Sequence, residues 1–335
     1  MAATRKTRRS QTESRKKDHV ELVIKKGAQY SIPSGFERIQ FVHNALPEID
    51  FDSVDLSVEF LGRKIRYPIL ITGMTGGYSD AEGINRALAQ SAQKHGMAFG
   101  VGSQRAMIEK PELIRTYRIR DVAPDVPLLS NIGAFQLKKY KFDQIDSLVQ
   151  SIEADALAVH LNALQEIIQP EGDTDFSGVL DAIRRTADKL SVPLLVKETG
   201  AGISMDVAQL LKDAGAMYID VSGAGGTSWS KVEYLRSGKI PGFENWGIPT
   251  VQSIIQCRGI LPIVASGGIR DGVEGAKAIA LGADMCGAAY PFIKAHREGD
   301  LDEFVQIFQR QMRICAFLTG SRTFGDLRKA KLVFS

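Results

Sequence analysis

The sequence has few cysteines and no long apolar run. Its three cysteines, Cys257, Cys286 and Cys315, are widely spaced and form no Cys-x-x-Cys pair, which argues against a disulfide framework and against a zinc site. No apolar stretch approaches the roughly 18–20 residues that span a bilayer, and none follows the first residues as in a secretory signal. The sequence therefore predicts a cytoplasmic protein that makes no contact with membranes.

An excess of positive charge is also missing from most of the chain. The formal net charge is +3, but residues 1–17 contain seven Lys/Arg and one acid, so the rest carries 35 basic and 38 acidic residues. Residues 1–13 are polar and basic, and they are expected to form a disordered arm. Such an arm is typical of nucleic-acid binding. The body has no basic stripe and no nucleic-acid motif, so no nucleic-acid partner is predicted.

Short apolar runs alternate with helical patterns after residue 66. At 335 residues, the chain suits one barrel of about 250 residues with extensions, or two smaller domains. The predicted strands are 67–72, 97–101, 127–131, 156–161, 193–197, 217–221, 261–265 and 284–288. The predicted helices are 80–95, 111–121, 142–153, 176–190, 204–214, 249–257, 271–281 and 300–318. Eight unbroken units favour a (β/α)₈ TIM barrel over an open sheet of about five to seven strands.

The barrel is predicted over residues 67–335, and residues 14–66 are expected to form a segment that covers its mouth. Ser14 is a candidate N-cap for a short helix at the start of this segment. On such a helix, Arg15 and His19 share one face, with Lys16 alongside.

Three of the strand-end loops are rich in glycine: residues 72–77, 222–229 and 266–270. Glycine allows backbone N–H groups to face a ligand without a Cβ in the way. The loops after the seventh and eighth strands of a barrel commonly bind phosphate together with helix N-termini. Because Ser222, Thr227 and Ser266 accompany these glycines, the pattern favours a phosphorylated cofactor over loops that serve only as tight turns.

Charged and polar residues end the other strands. Lys197 ends an apolar strand, where it could form a Schiff base, stabilise an anion on a cofactor ring, or extend to the rim. Glu166 is a candidate Mg²⁺ ligand, general base or helix cap. His160 could bind a ligand or serve as a core residue. Gln104 and Arg105 end the second strand, and an arginine there suits bidentate phosphate binding.

Together, these strand ends resemble those of the type 2 isopentenyl-diphosphate isomerases, which are FMN-dependent barrels. The resemblance runs from about Arg15 to the C-terminus. The shared motifs are Thr72-Gly-Met-Thr-Gly-Gly, Gly102-Ser-Gln-Arg, Ser130-Asn-Ile-Gly, His160-Leu-Asn-x-x-Gln-Glu, Val196-Lys-Glu, Gly225-Gly-Thr-x-Trp and Ser266-Gly-Gly-Ile-Arg. The last is common to many FMN barrels, whereas the run from His160 and the Arg15-Lys16-x-x-His19 start are more specific.

The resemblance implies roles for individual residues. FMN would contact Thr72, Gly73, Met74, Thr75, Ser103, Asn131, Lys197, Ser222, Thr227, Gly267, Gly268, Arg270, Ala288 and Ala289. The substrate would contact Arg15, Lys16, His19, Ser103, Gln104, Arg105, Asn162 and Gln165. Glu166 would bind Mg²⁺, and the catalytic candidates are Gln165, His160 and Lys197. A homotetramer or homo-octamer is expected from the family.

The reaction of this family interconverts isopentenyl diphosphate and dimethylallyl diphosphate without net redox change. Few acid/base pairs end the strands, so we hypothesise that reduced FMN carries the proton, with N5 as the transferring atom. Lys197 and the backbone after the first strand would stabilise the anionic reduced ring. NADPH would be required only to reduce the flavin.

Three other functions fit parts of the sequence. A 2-hydroxy-acid oxidase needs a histidine base, and none lies near Arg270. An IMP dehydrogenase-like enzyme needs a nucleophilic cysteine after the sixth strand, and residues 222–229 contain none. A nucleic-acid-binding barrel would use the basic arm but no ligand site.

Overall fold

The computed structural model describes residues 21–23 and 27–335, and its centre is a closed barrel of parallel strands. The barrel strands are β4 (Ile69–Ile71), β5 (Ala98–Gly100), β6 (Leu128–Gly133), β7 (Ala156–Leu161), β8 (Leu194–Glu198), β9 (Tyr218–Asp220), β10 (Ile263–Ser266) and β11 (Met285–Ala288). Each pairs with the next in parallel, and β11 pairs with β4. The predicted eight-stranded barrel is thereby confirmed.

Four short strands lie outside the barrel. β1 (Ile39–Phe41) pairs antiparallel with β12 (Leu332–Phe334), and β2 (Val58–Phe60) pairs antiparallel with β3 (Arg63–Ile65). Phe60 and Ile65 of this hairpin pack against Leu70, Leu129 and other side chains inside the barrel. The hairpin therefore closes the N-terminal end of the barrel and leaves its C-terminal end as the open side.

The helices surround the barrel and pack their apolar faces on its outer surface. They are α1 (Ala81–His95), α2 (Arg105–Glu109), α3 (Ala134–Lys139), α4 (Phe142–Gln150), α5 (Ala163–Ile168), α6 (Val179–Ala187), α7 (Met205–Asp213), α8 (Trp229–Ser237), α9 (Thr250–Cys257), α10 (Gly272–Ala280), α11 (Tyr290–Glu298), α12 (Leu301–Leu318) and α13 (Phe324–Leu327). Within the described ranges, none of them combines the length and apolar character needed to cross a bilayer.

The helix predicted over 111–121 is wrong. The chain forms a 3₁₀ turn over Pro111–Thr116 and then bends through irregular turns. Arg118 donates to the carbonyl of Ser151 at 3.1 Å, and Arg120 donates to that of Glu153 at 2.7 Å. These contacts hold the segment against a neighbouring turn, and such tertiary bonds override local helix propensity.

The alternation of side chains along the strands produces a polar layer at the open end. Leu129, Leu195 and Val264 face the barrel interior. Because side chains of a strand alternate between its two faces, the residues two positions further on face the same way. These residues are Asn131, Lys197 and Ser266. The inward-facing positions thus change from apolar to polar between the closed end and the open end.

Candidate functional site

An open cavity lies at the C-terminal ends of the barrel strands, and all eight strand ends contribute to its lining. Most of the residues predicted for the site line it together. They are Thr72, Gly73, Met74, Ser103, Arg105, Asn131, His160, Asn162, Gln165, Glu166, Lys197, Ser222, Thr227, Gly267, Gly268, Arg270, Ala288 and Ala289. The tertiary structure therefore brings into one cavity residues that are more than 200 positions apart in sequence.

The glycine-rich loops after β9 and β10 are interlocked. Gly267 and Gly268 have φ angles of 100° and 76°, which favour glycine. The Arg270 guanidinium donates to the carbonyls of Gly225 and Gly268, each at 3.0 Å. In the described chain, the N–H groups of Gly267 and Gly268 have no protein acceptor. This is a donor set suited to phosphate oxygens.

Only one of the two nearby helix N-termini faces the cavity without a cap. The Asp271 side chain already accepts from the Glu274 N–H at the start of α10. By contrast, α11 begins after Ala289 with no side-chain cap, and Ala289 and Tyr290 line the cavity. A phosphate bound here would therefore meet the positive end of α11, together with the loop after β10.

Lys197 extends from β8 into the cavity. It is largely buried there, with only 9% of its surface exposed. Its Nζ donates to the Glu198 carbonyl at 2.6 Å. The Glu198 carboxylate accepts from the N–H groups of Thr199, Gly200 and Ala201. Burial nevertheless raises the pKa of Glu198 to about 7. The turn after β8 is thereby fixed by its own carboxylate, and Lys197 is a cationic group that faces the cavity.

His160 is oriented by a chain of hydrogen bonds from β6. The Asn131 Nδ2 donates to the Val101 carbonyl at 3.1 Å, so its Oδ1 is the acceptor at 2.9 Å from His160 Nδ1. His160 therefore carries a proton on Nδ1 in this arrangement, an assignment made from the hydrogen-bond partners.

Glu166 and Gln165 are held by neighbouring polar groups. Glu166 accepts from the Asn162 Nδ2 at 2.9 Å with one oxygen and from the Asp173 N–H at 2.8 Å with the other. Gln165 donates its Nε2 to the fully buried Glu233 at 3.0 Å. Among the described lining residues, Glu166 is the only carboxylate. A divalent cation there would need further oxygen ligands from a bound substrate, as is usual for Mg²⁺.

Two predicted ligand residues do not line the cavity. The side chain of Gln104 is completely buried; its Oε1 accepts from Ser130 Oγ at 2.5 Å and from the Asn131 N–H at 2.9 Å. Thr75 is buried beside Asn85, to which its hydroxyl donates. Both side chains point behind the cavity wall. They support the loops there and do not line the cavity, contrary to the direct ligand contacts expected for them.

The predicted anion-binding residues are only partly described. Arg105 lines the cavity and is paired with Glu109 at 3.2 Å, with Asp173 Oδ2 3.9 Å away. Arg15, Lys16 and His19 lie outside the described residues. The described part of the N-terminal segment reaches the site through Gln29, whose Nε2 donates to Thr227 Oγ1 at 3.3 Å.

The predicted ligand set left out several residues that lie at the site. Gln136, Gln169, Trp229 and Tyr290 also line the cavity. Glu233, behind Gln165, forms an ion pair with Arg236 at 2.8 Å. Its place on α8, four residues after Trp229 in the shared Gly-Gly-Thr-x-Trp motif, was the available signal. Its burial could not be read from the sequence.

A Gly226→Ala substitution is expected to weaken FMN binding by about tenfold or more. A Cβ on Gly226 would lie 2.5 Å from the backbone nitrogen of Gly268, so the two loops would have to separate. A tenfold loss corresponds to about 1.4 kcal/mol. Fluorescence titration of the apoprotein with FMN measures it.

The matched control is Gly83→Ala, because a Cβ on this exposed glycine of α1 meets nothing within 4 Å. This change is expected to leave FMN affinity unaltered and to stabilise the helix by about 0.5–1 kcal/mol. Equal FMN affinity of the Gly226→Ala variant and the unsubstituted protein would contradict the assignment of these loops to the phosphate.

Comparison with known proteins gives two kinds of similarity. A family model described as FMN-dependent dehydrogenase matches residues 30–110 and 153–333. An isopentenyl-diphosphate delta-isomerase of Pyrococcus abyssi is 47% identical over 97% of this chain and 93% of its own length. The enzyme of the same name from Rickettsia felis is 47% identical over 95% of this chain and 96% of its own length.

Solved structures share the fold at lower sequence identity. A lactate oxidase of Pediococcus acidilactici superposes with a TM-score of 0.69 at 17% identity, covering 96% of this chain and 94% of its own. A mandelate oxidase superposes with a TM-score of 0.65 at 18% identity, with 90% of each chain covered. At these identities the likeness extends to the barrel fold alone.

Proposed function

The chain belongs to the isopentenyl-diphosphate delta-isomerases of the FMN-dependent dehydrogenase family, and from that premise we propose that it interconverts isopentenyl and dimethylallyl diphosphate. The observation that carries this proposal is the close relation to enzymes of this name over nearly the whole chain. It is supported by a cavity in which Asn162, Gln165 and Glu166 lie with Lys197.

The donor set of the cavity fits FMN. The loops after β9 and β10 approach so closely that a Cβ on Gly226 would fill the space between them. In the described chain, the N–H groups of Gly267 and Gly268 have no protein acceptor and are available for a phosphate. Lys197 lies deeper in the cavity wall, where its ammonium would favour negative charge on a flavin ring. We propose that Ser222, Thr227, Gly267, Gly268 and Arg270 hold the ribityl phosphate side.

The opposite side of the cavity suits a diphosphate. Ser103 and Arg105 lie after β5, and Glu166 lies after β7. We propose that Mg²⁺ is bound by Glu166 and by oxygens of the substrate, since magnesium commonly combines one or two carboxylates with phosphate oxygens. Arg15, Lys16 and His19 are proposed to add positive charge at the mouth. The expectation that residues 14–66 cover the mouth does not hold for the whole segment, because its hairpin 58–65 closes the opposite end of the barrel.

The reaction needs one proton added to a terminal carbon and another removed from an allylic carbon. When bound in its reduced state, FMN would supply a group that can donate and accept a proton. Gln165 is fixed by Glu233 and would orient the prenyl chain. His160, oriented by Asn131, and Lys197, which faces the cavity, complete the set of candidate catalytic residues. NADPH is proposed as the reductant that primes the flavin.

The oxidase alternative has less support. The two oxidases resemble this chain at 17% and 18% identity. Oxidation of a 2-hydroxy acid needs a histidine that takes a proton from the substrate. The one histidine among the described lining residues is His160, which begins the isomerase-like motif and is hydrogen-bonded to Asn131.

Anaerobic incubation with FMN, NADPH, Mg²⁺ and isopentenyl diphosphate tests the activity. We expect dimethylallyl diphosphate to form and no NADPH to be consumed after the flavin is reduced. In a second arm, 5-deaza-FMN replaces FMN and removes the N5 atom. Undiminished turnover there would exclude proton transfer at N5, whereas absence of product with flavin bound and reduced would overturn the isomerase assignment.

Location and assembly complete the proposal. The three cysteines are free and buried, which is compatible with the reducing cytoplasm proposed here. A homotetramer or homo-octamer is proposed from the family resemblance. Light scattering coupled to size-exclusion chromatography distinguishes these assemblies from a monomer of 36.6 kDa.

A further inference from the structure

A buried carboxylate without an obvious purpose lies below the cavity floor. Asp220 ends β9 with 1% of its surface exposed. Its Oδ1 accepts from Ser266 Oγ at 2.5 Å and from the Ser222 N–H at 3.2 Å. Its Oδ2 is buried and has no hydrogen-bond partner. A buried carboxylate with hydrogen bonds to only one of its two oxygens is unfavourable for stability, so its presence calls for a functional reason.

The position of Asp220 connects three strands that line the cavity. It is paired in register with Lys197 of β8 and with Val264 of β10. Ser222, Ser266 and Lys197 all line the cavity, and the first two are bound directly by the Asp220 carboxylate. Ser222 has a φ angle of 35°, an unusual conformation for a residue other than glycine. The bond from its N–H to Asp220 stabilises that conformation.

The charge of Asp220 acts on the same groups. Burial raises its pKa, while attraction to the Lys197 ammonium, the Ser266 hydroxyl bond and the Ser222 N–H bond oppose that rise. Lys197 and Asp220 are therefore electrostatically coupled, although Lys197 donates its hydrogen bond to the Glu198 carbonyl instead. A carboxylate beneath a cationic site weakens the attraction of that site for a bound anion.

We propose that Asp220 is a positioning residue of the cofactor site, which fixes Ser222 and Ser266 and moderates the positive field of Lys197 on the flavin. The inference rests on the proposed occupation of the cavity by FMN. The Lys197 ammonium stabilises the anionic form of the reduced flavin, and too much stabilisation would make the flavin a poor base. Asp220 offsets part of the Lys197 charge and so limits this stabilisation. Its effect thus reaches the reaction through Lys197 and the two serines.

The test is Asp220→Asn. Asparagine retains an Oδ1 acceptor for Ser266 and Ser222, and the atom replaced is the oxygen that has no partner. We expect the variant to stay folded, because Oδ1 keeps both hydrogen bonds that the aspartate accepts. The affinity for reduced FMN is expected to rise about tenfold relative to that for oxidised FMN, a potential shift of about +30 mV for two electrons. Isomerase turnover is expected to fall at least tenfold.

Two further variants separate this role from others. Asp121→Asn removes the same charge from an exposed carboxylate that is paired with Arg86 on the surface, and it is expected to leave the flavin potential unchanged. A variant carrying both Lys197→Met and Asp220→Asn tests the coupling. The Asp220 substitution should shift the potential by less than half as much when Lys197 is absent.

The outcomes can be distinguished from those for the proposed function. An unchanged potential, equal loss of affinity in both redox states, or a fully additive double variant would each overturn the role of Asp220. Flavin binding with the expected shift but no dimethylallyl product in the unsubstituted protein would overturn the isomerase assignment alone. Failure of the unsubstituted protein to bind FMN would overturn both.

Discussion

Lys197→Met is expected to lower isomerase turnover by about 10²- to 10³-fold, the range found when a single preorganised electrostatic group is removed. Methionine preserves most of the length and the apolar stem of the side chain but carries no charge. The Nζ that the substitution removes donates a hydrogen bond to the Glu198 carbonyl. We therefore expect the fold and the affinity for oxidised FMN to change little, while the reduced cofactor loses its stabilising cation.

The matched control for this variant is Lys277→Met. Lys277 has the same 9% exposure and donates to a single backbone carbonyl, that of Phe36, at 3.0 Å. It does not belong to the described lining of the cavity. Turnover is measured anaerobically with pre-reduced FMN at saturating Mg²⁺ and substrate. Activity of Lys197→Met within tenfold of the unsubstituted protein, or an equal loss in Lys277→Met, would contradict the role of Lys197.

Glu166→Gln is expected to reduce kcat/KM for isopentenyl diphosphate by about 10²-fold, equivalent to about 2.7 kcal/mol. The substitution removes the only carboxylate among the described lining residues, and a neutral amide oxygen is a weaker ligand for Mg²⁺. The loss should be partly recovered at high Mg²⁺ concentration. The affinity for FMN, measured by fluorescence titration, should remain within about twofold.

The same substitution has a structural effect that must be measured separately. Glu166 accepts from Asn162 and from the Asp173 N–H with different oxygens, and glutamine can satisfy only one of these donors. Leaving one buried donor unpaired costs about 1–3 kcal/mol of stability. Glu82→Gln, which breaks a surface ion pair with Arg115, serves as the control for loss of an acidic charge. If Glu166→Gln leaves the Mg²⁺ requirement unchanged, Glu166 is not a ligand of the metal.

The barrel and most of its lining could be predicted from the sequence. Strand 156–161 was predicted with the bounds observed for β7, and each of the other seven predictions overlaps a barrel strand. Apolar runs identify buried parallel strands because both faces of such strands are covered. Once eight strands are placed in a barrel, the residues that end them must meet at one edge. Lys197, Glu166 and Gly267 therefore lie in one cavity, as expected.

The direction of individual side chains could not be predicted with the same success. Gln104 and Thr75 were expected to contact ligands, but their side chains point behind the cavity and hold Asn131 and the loop after β4. Each residue belongs to an irregular loop, where the alternation that governs strands no longer applies. In β9, Asp220 follows that alternation, yet an acid within an apolar run was not recognised as facing inward.

The sequence by itself determined the eight barrel strands, most of the helices predicted after them, the glycines that allow close approach at the phosphate end, and the resemblance carried by the run from His160. These properties depend on local periodicity, backbone freedom and residue order. Only the tertiary structure decided that Glu233 lies behind Gln165, that α11 presents the uncapped helix terminus, and that Asp220 is buried beside Lys197. The reason is physical: burial, capping and electrostatic coupling depend on which groups of other strands and helices come near, and local sequence carries no measure of that.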